Sequence, residues 1–232
     1  MTKLSDLINP PKPNMTADEL YYLLNTFYEF LDNLIDISNV SQLTNSDFSS
    51  LSKGLIPTTQ ADGDNEEFVT DWFVVGATVA TYTITPTVYP QNSQVQSDSA
   101  YFVNLNLTAY TPPGFYFYQR QANTVRKYQN QFLTFTVQAN NNGAEYVKVR
   151  FTVIYNLGPT SQTVQSRALY LESGFNDLNV VIQTPSLRDA TVDPSNYVEF
   201  RLEFVEIYTA LANIDFYELK GEFGKISTKL TS

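Results

Sequence analysis

Cysteine and histidine are both absent from the 232 residues. Without cysteine there is no disulfide, no thiolate zinc site and no cysteine nucleophile. Without histidine there is no zinc site of the ordinary kind, no Ser-His-Asp triad and no imidazole general base. Charge is also sparse: 16% of residues are charged, against about a quarter in a typical globular chain. Basic residues are the scarcer sign, 14 against 24 acidic, for a net charge of −10. A phosphate backbone needs a basic patch to hold it, so nucleic acid is not an expected partner. No apolar run approaches the length of a membrane-crossing helix, and the first residues lack the basic and apolar regions of a secretory leader. Membrane insertion is therefore not expected.

What replaces charge is uncharged polar residues and aromatics, with 16 Tyr and 16 Phe. Hydrophobic residues make up 43%, enough for a substantial core. The acid is unevenly placed. Residues 1–72 hold 12 acidic and 3 basic side chains, whereas residues 73–232 hold 12 and 11. Two readings of the acidic front stand: a solvated surface, or a face that docks onto a basic partner.

The pattern that dominates is period-two alternation. In residues 115–139, Leu133, Phe135, Val137 and Ala139 alternate with Thr134, Thr136 and Gln138, and Tyr116 and Tyr118 alternate with Phe117 and Gln119. This is the signature of half-buried strands, here two of them joined by a polar turn. The same alternation puts Tyr101, Val103, Leu105 and Leu107 on one face. It sets Val147, Val149, Phe151 and Val153 against Lys148, Arg150 and Thr152, and Val198, Phe200, Leu202 and Phe204 against Glu199, Arg201 and Glu203. Thr111–Gly114 reads as a turn, and Asn140-Asn141-Asn142-Gly143 as a hairpin turn. Residues 61–67, ADGDNEE, read as an acidic loop. Further strands at 178–183 and 213–223 bring the total to about eight or nine, the pattern of an antiparallel β-sandwich.

The front of the chain is different. Pro10, Pro11 and Pro13 forbid a continuous helix and favour an extended arm. Thr16 with Glu19 then forms a capping-box signature. After it Leu20, Leu23, Phe27, Phe30, Leu34 and Ile37 recur at alternating spacings of three and four. That is a heptad seam, predicting one α-helix that self-associates, with a homotrimer as the first expectation. The chain thus divides into a docking arm and oligomerisation helix (1–39), a β-sandwich (40–224) and a tail (225–232).

The order of several short motifs carries a family resemblance. They are Thr44-Asn45-Ser46-Asp47-Phe48, Asp71-Trp72, Tyr118-Gln119-Arg120-Gln121, Phe132–Val137, Gly174-Phe175-Asn176 with Pro185, and Ile214-Asp215-Phe216. Together they resemble the carbohydrate-binding, galactose-binding-like jelly-roll modules, most of all those in bacteriophage fibres and other virion structural proteins. The sequence departs from that pattern at Ser46, where the family has glycine, and in the acidic residues 61–67. The resemblance implies a jelly-roll topology and a virion location, as a head fibre, tail fibre or capsid decoration. Capsid or collar proteins and host-surface glycans would be its partners. A glycan-binding adhesin is the alternative setting for the same fold. Some modules of this kind carry a structural calcium, and the motif positions that would hold it here are Asp47 and Asp215.

For ligand binding the candidates are Trp72, Tyr116 and Tyr118, whose aromatic faces suit a sugar ring. Equally, Trp72 suits core packing and the tyrosines suit strands or subunit contacts. Glycoside hydrolysis needs two carboxylates placed across a cleft. The sequence identifies no such pair, and no enzymatic activity is expected.

Overall fold

The structure, a computed structural model, describes residues 41–89, 100–188, 190–207 and 211–224. The proline-bearing arm, the seam from Leu20 through Leu23, Phe27, Phe30 and Leu34 to Ile37, and the tail 225–232 lie outside the described residues. What is described belongs to one unit that begins at Ser41.

Alternation in the sequence becomes thirteen strands among the described residues. They are β1 (Thr58–Thr59), β2 (Glu66–Val69), β3 (Trp72–Val75), β4 (Ala80–Val88), β5 (Tyr101–Tyr110), β6 (Tyr116–Ala122) and β7 (Phe132–Asn141). After these come β8 (Val147–Asn156), β9 (Ser161–Gln165), β10 (Leu169–Leu171), β11 (Gly174–Gln183), β12 (Tyr197–Ile207) and β13 (Ala212–Phe223). One sheet runs β1-β4-β5-β13-β7-β11; the other runs β10-β8-β12-β6-β3-β2, with β9 also paired to β8. All the pairings are antiparallel. The chain passes repeatedly from one sheet to the other, which makes this a two-sheet sandwich of jelly-roll type.

The inner faces are the apolar ones that the alternation marks. Leu133, Phe135, Val137 and Ala139 of β7 and Val147, Val149, Phe151 and Val153 of β8 are all buried. Phe135 stacks on Phe151 with ring centroids 4.8 Å apart, tying one sheet to the other. Phe117, Phe204 and Phe216 form a second cross-sheet cluster with edge contacts at 5.4 and 5.6 Å. Gly76 is fixed by this packing. It sits at φ 140°, and a Cβ there would collide with the Phe115 ring.

Two turns depart from the sequence reading. Asn140–Gly143 does not close a hairpin, because β7 and β8 lie in different sheets. The Asn141 side chain, 1% exposed, makes this a corner. Its Nδ2 donates to the Glu145 and Leu171 carbonyls at 2.8 and 3.0 Å, and its Oδ1 accepts from Gly143 N at 3.0 Å. Likewise β6 and β7 are not partners: the polar turn between them crosses the sandwich. The acidic segment is more ordered than a loop. Asp62 caps a short 3-10 turn at Gln60–Asp62, accepting from Thr59 N at 2.6 Å. Asp64 accepts from the Gly76 and Ala77 amides at 2.6 and 2.8 Å, and Glu66 and Glu67 open β2.

Candidate functional site

Strand β6 pairs with β3 on one side and β12 on the other, which lines up their outward residues in rows. One row is Phe73, Tyr118, Arg201 and Thr152; the next is Val75, Tyr116, Glu203 and Arg150; a third sets Arg120 beside Glu199. The two tyrosines named from the sequence, Tyr116 and Tyr118, are thus neighbours, with ring centroids 6.1 Å apart on the outer face of the second sheet. Phe73 stacks on Tyr118 at 5.3 Å. The Tyr118 hydroxyl donates to Asn65 Oδ1 at 3.1 Å.

Glu199 sits at the hub of this face. It is 2% exposed, an unusual place for a carboxylate unless it is paired. Its Oε2 accepts from Arg120 Nε and Nη2 at 3.1 and 2.7 Å, and its Oε1 accepts from Arg201 Nε at 2.5 Å. Held in this way, each guanidinium lies over a ring: Arg201 over Tyr116 at 4.1 Å, and Arg120 over Tyr197 at 4.2 Å. Such cation–π stacking in a partly desolvated site adds about 1 kcal/mol per contact and fixes the rings in place. Arg150 makes a forked pair with Glu203 through Nε and Nη2 at 3.0 and 2.6 Å. Thr152, beside Arg201 and 2% exposed, has an Oγ1 with no hydrogen-bond partner. Burial raises the Tyr116 and Tyr118 phenols above their usual range, so both stay protonated as donors at neutral pH.

At one end the face deepens into a cleft of about 250 Å³, bounded by Pro113, Gly114, Tyr116, Arg150, Arg201 and Glu203. The ensemble is a preformed layer of guanidinium groups held on aromatic rings: Arg201 covers Tyr116 and Arg120 covers Tyr197, while Tyr118, 7% exposed, lies against Phe73 and spends its hydroxyl on Asn65. It is suited to a flat, polyhydroxylated ligand. Its carboxylates Glu199 and Glu203 are engaged by arginines rather than facing each other across the cleft.

Trp72 does not belong to this face. It is 1% exposed, packs edge-on against Phe48 at 6.3 Å, and its Nε1 donates to the Asn45 carbonyl at 3.2 Å. No ring face is left for a ligand, so the stacking role considered from the sequence is corrected to a core role. The motifs around it form a clasp. Asn45 bonds both backbone groups of Ser50, and buried Gln119 accepts from Thr44 N and donates to Thr44 O, both at 2.9 Å. Asp47 lies in the same loop and accepts from Ser49 N at 3.2 Å. Asp215 lies on β13, in the other sheet's outer face, where Asn104 and Asn142 donate to it at 2.6 and 2.9 Å. The clasp meets β13 at Leu219, whose amide donates to Ser46 O, so the Asp47 loop joins the strand four residues, about 13 Å, beyond Asp215. No group of three or more acidic side chains is placed to hold a metal ion among the described residues.

Sequence reasoning missed Phe73, Arg120, Tyr197, Glu199 and Arg201 as members of the site. Alternation placed Glu199 and Arg201 on the outer side of β12, but nothing in it indicated that β6 would be the neighbour.

No protein-family model matches the chain, and no curated relative matches it. Among solved structures it is similar to a CBM4 domain at 16% identity and TM-score 0.45, over 79% of this chain and 100% of that one. It is similar to the CBM22-2 xylan-binding domain from Paenibacillus barcinonensis Xyn10C at 9% identity and TM-score 0.45, over 74% and 100%. It is also similar to part of an arabinose-bound GH51 α-L-arabinofuranosidase at 12% identity and TM-score 0.48; there it covers 80% of itself but spans only 26% of the larger chain.

Proposed function

We propose that the sandwich is a non-catalytic glycan-binding module whose binding surface is the outer face of the β3-β6-β12 sheet. The observation that carries this is the Glu199 hub, which presents Arg201 on Tyr116 and Arg120 on Tyr197 as one rigid layer. Guanidinium groups held rigid on their rings lose little entropy on binding, and their donors can reach ring hydroxyls or carboxylates of a sugar. Guanidinium groups fixed on an outer face, Arg120 with its side chain 47% exposed, favour binding over a purely structural use of the same residues.

The setting we propose is a bacteriophage fibre or decoration subunit, with the sandwich directed at host-surface glycans. Support for this comes from the order of the sequence motifs. Self-association through Leu20, Leu23, Phe27, Phe30, Leu34 and Ile37 belongs to the same proposal, as does docking on capsid or collar. A structural calcium at Asp47 and Asp215 stays outside it.

A glycan array probed with the full chain tests the binding claim. Binding of one glycan class by the wild type, lost in Arg201→Ala and in Tyr116→Ala with the melting curve retained, supports it. An array without a binder, or a binder held equally by both variants, overturns it.

A further inference from the structure

On the opposite side of the sandwich, the outer face of the first sheet carries a different chemistry. Across five strands the register places Thr85, Asn104, Asp215, Asn140 and Phe175 in one row. The side chains are knitted together. Asn104 spends both amide hydrogens, on Asn213 Oδ1 at 2.8 Å and Asp215 Oδ1 at 2.6 Å. Asn142 does the same, to Asn213 Oδ1 at 3.2 Å and Asp215 Oδ2 at 2.9 Å, and accepts from Asn140 at 2.5 Å. Each Asn has two donors and a two-lone-pair acceptor. The network therefore leaves the Asn213 amino group and the Asn104 and Asn140 carbonyl oxygens unspent among the described residues, on three adjacent strands of one outer face.

Beside the network, Phe175 is 55% exposed, an uncommon position for a phenylalanine, with Tyr217 next to it at 6.1 Å and Phe102 beyond that at 5.7 Å. On the other side Asn213 and Asn106 border a groove of about 400 Å³, walled by Gly143, Glu145 and Leu211. An exposed ring next to outward amide donors and acceptors matches one kind of ligand, a saccharide that offers an apolar ring face and adjacent hydroxyls. The surrounding charge sets its class. Asp215, Asp177 and Glu145 are acidic, and none of the residues of the row, the network or the groove wall is basic. A uronic or sulfated sugar would be repelled. A metal ion is not what this face offers, since no group of three or more acidic side chains is gathered to hold one among the described residues.

We infer that this face is a second saccharide site, specific for neutral sugars and independent of the arginine-bearing face. The full chain, labelled with ¹⁵N, is titrated with the neutral disaccharides lactose, cellobiose and maltose, and Asn, Tyr and Phe signals are followed. The expected result is saturable shifts at Asn104, Asn140, Asn213 and Phe175 with at least one of the three. Affinity should fall about tenfold in Phe175→Ala and in Asn213→Ala and be unchanged in Arg201→Ala. No saturable shift on this face with any of the three overturns the inference, as does an affinity that survives both variants. Shifts confined to Tyr116, Tyr118 and Arg201 also overturn it while leaving the arginine face standing as the glycan site. Both single variants lie at the exposed surface, so a melting curve like that of wild type accompanies either result.

Discussion

The two outer faces of this sandwich solve the same problem, a polar surface on a β-sheet, with opposite materials. The β3-β6-β12 face uses full charges: one buried carboxylate, two guanidinium groups and the aromatic rings they cover. The end of the β5-β13-β7 face around Asp215 uses neutral amides about one carboxylate, with the charged Glu218, Lys220 and Glu222 farther along β13. Removing the buried carboxylate forfeits three charge-assisted hydrogen bonds and frees two partly exposed guanidinium groups, whereas an exposed amide that loses its partner turns to water. The charged face should therefore be rigid and sensitive to single changes, and the amide face tolerant of them.

The largest effect that would break this contrast is at Glu199. Glu199→Leu removes the common partner of Arg120 and Arg201 and should cost about 3 kcal/mol in urea unfolding. A loss below about 1 kcal/mol would show that the hub is no stiffer than the amide network.

Next comes pH. Glu218 also points outward from the first sheet, but it is 5% exposed, and burial pushes its carboxyl up to about 7. Lys220 opposes the shift, while Glu222, Asp177 and Asp47 add to it. The folded state thus holds this proton where the unfolded chain has lost it. The stabilisation is complete below the ordinary carboxyl value and is lost as pH rises toward 7. Glu218→Gln stays uncharged throughout. The variant's stability relative to wild type should rise across that window by on the order of 2–3 kcal/mol and then level off. A pH-independent difference between the two would contradict the burial argument.

A smaller effect is expected for Asp215→Asn, which keeps the side chain's shape, removes its charge and sets one new amide donor against that of Asn104 or Asn142, each able to turn to water. Unfolding free energy should change by less than about 1 kcal/mol. Phe175→Ala is the smallest, within about 0.5 kcal/mol, because an exposed side chain has little burial to lose. A cost near that of Glu199→Leu at either position would erase the distinction between the faces.

How far the sequence anticipates these faces follows from what alternation encodes. A period of two tells inside from outside: β7, β8 and β12 bury the residues their patterns mark, and β5 buries Val103, Leu105 and Leu107 but leaves Tyr101 half-buried at its start. It does not say which strand lies alongside. Hence Asn140–Gly143 reads as a hairpin though it is a corner, because an Asn-Gly-rich turn has the same composition whether the next strand stays in the sheet or crosses. The short strands β1, β2, β9 and β10 hold too few residues to show a period. Trp72 is ambiguous for a related reason. A tryptophan in a strand fits either face, and only the contact with Phe48 and the bond to Asn45 place it inside. Tyr116 and Tyr118 were legible as two residues on one face of a strand, though not which face. Their arginine covers were not, since Arg120 and Arg201 come from strands 81 residues apart in sequence but adjacent in the sheet.

The central claim is that the Glu199-centred face holds the glycan. The most direct measurement is an NMR map of the full chain, following arginine Nε–H and tyrosine ring signals while adding the glycan selected on the array. The account predicts saturable shifts at Arg120, Arg201, Tyr116 and Tyr118, with the buried Trp72 indole unmoved. Binding that leaves these four signals in place would contradict it.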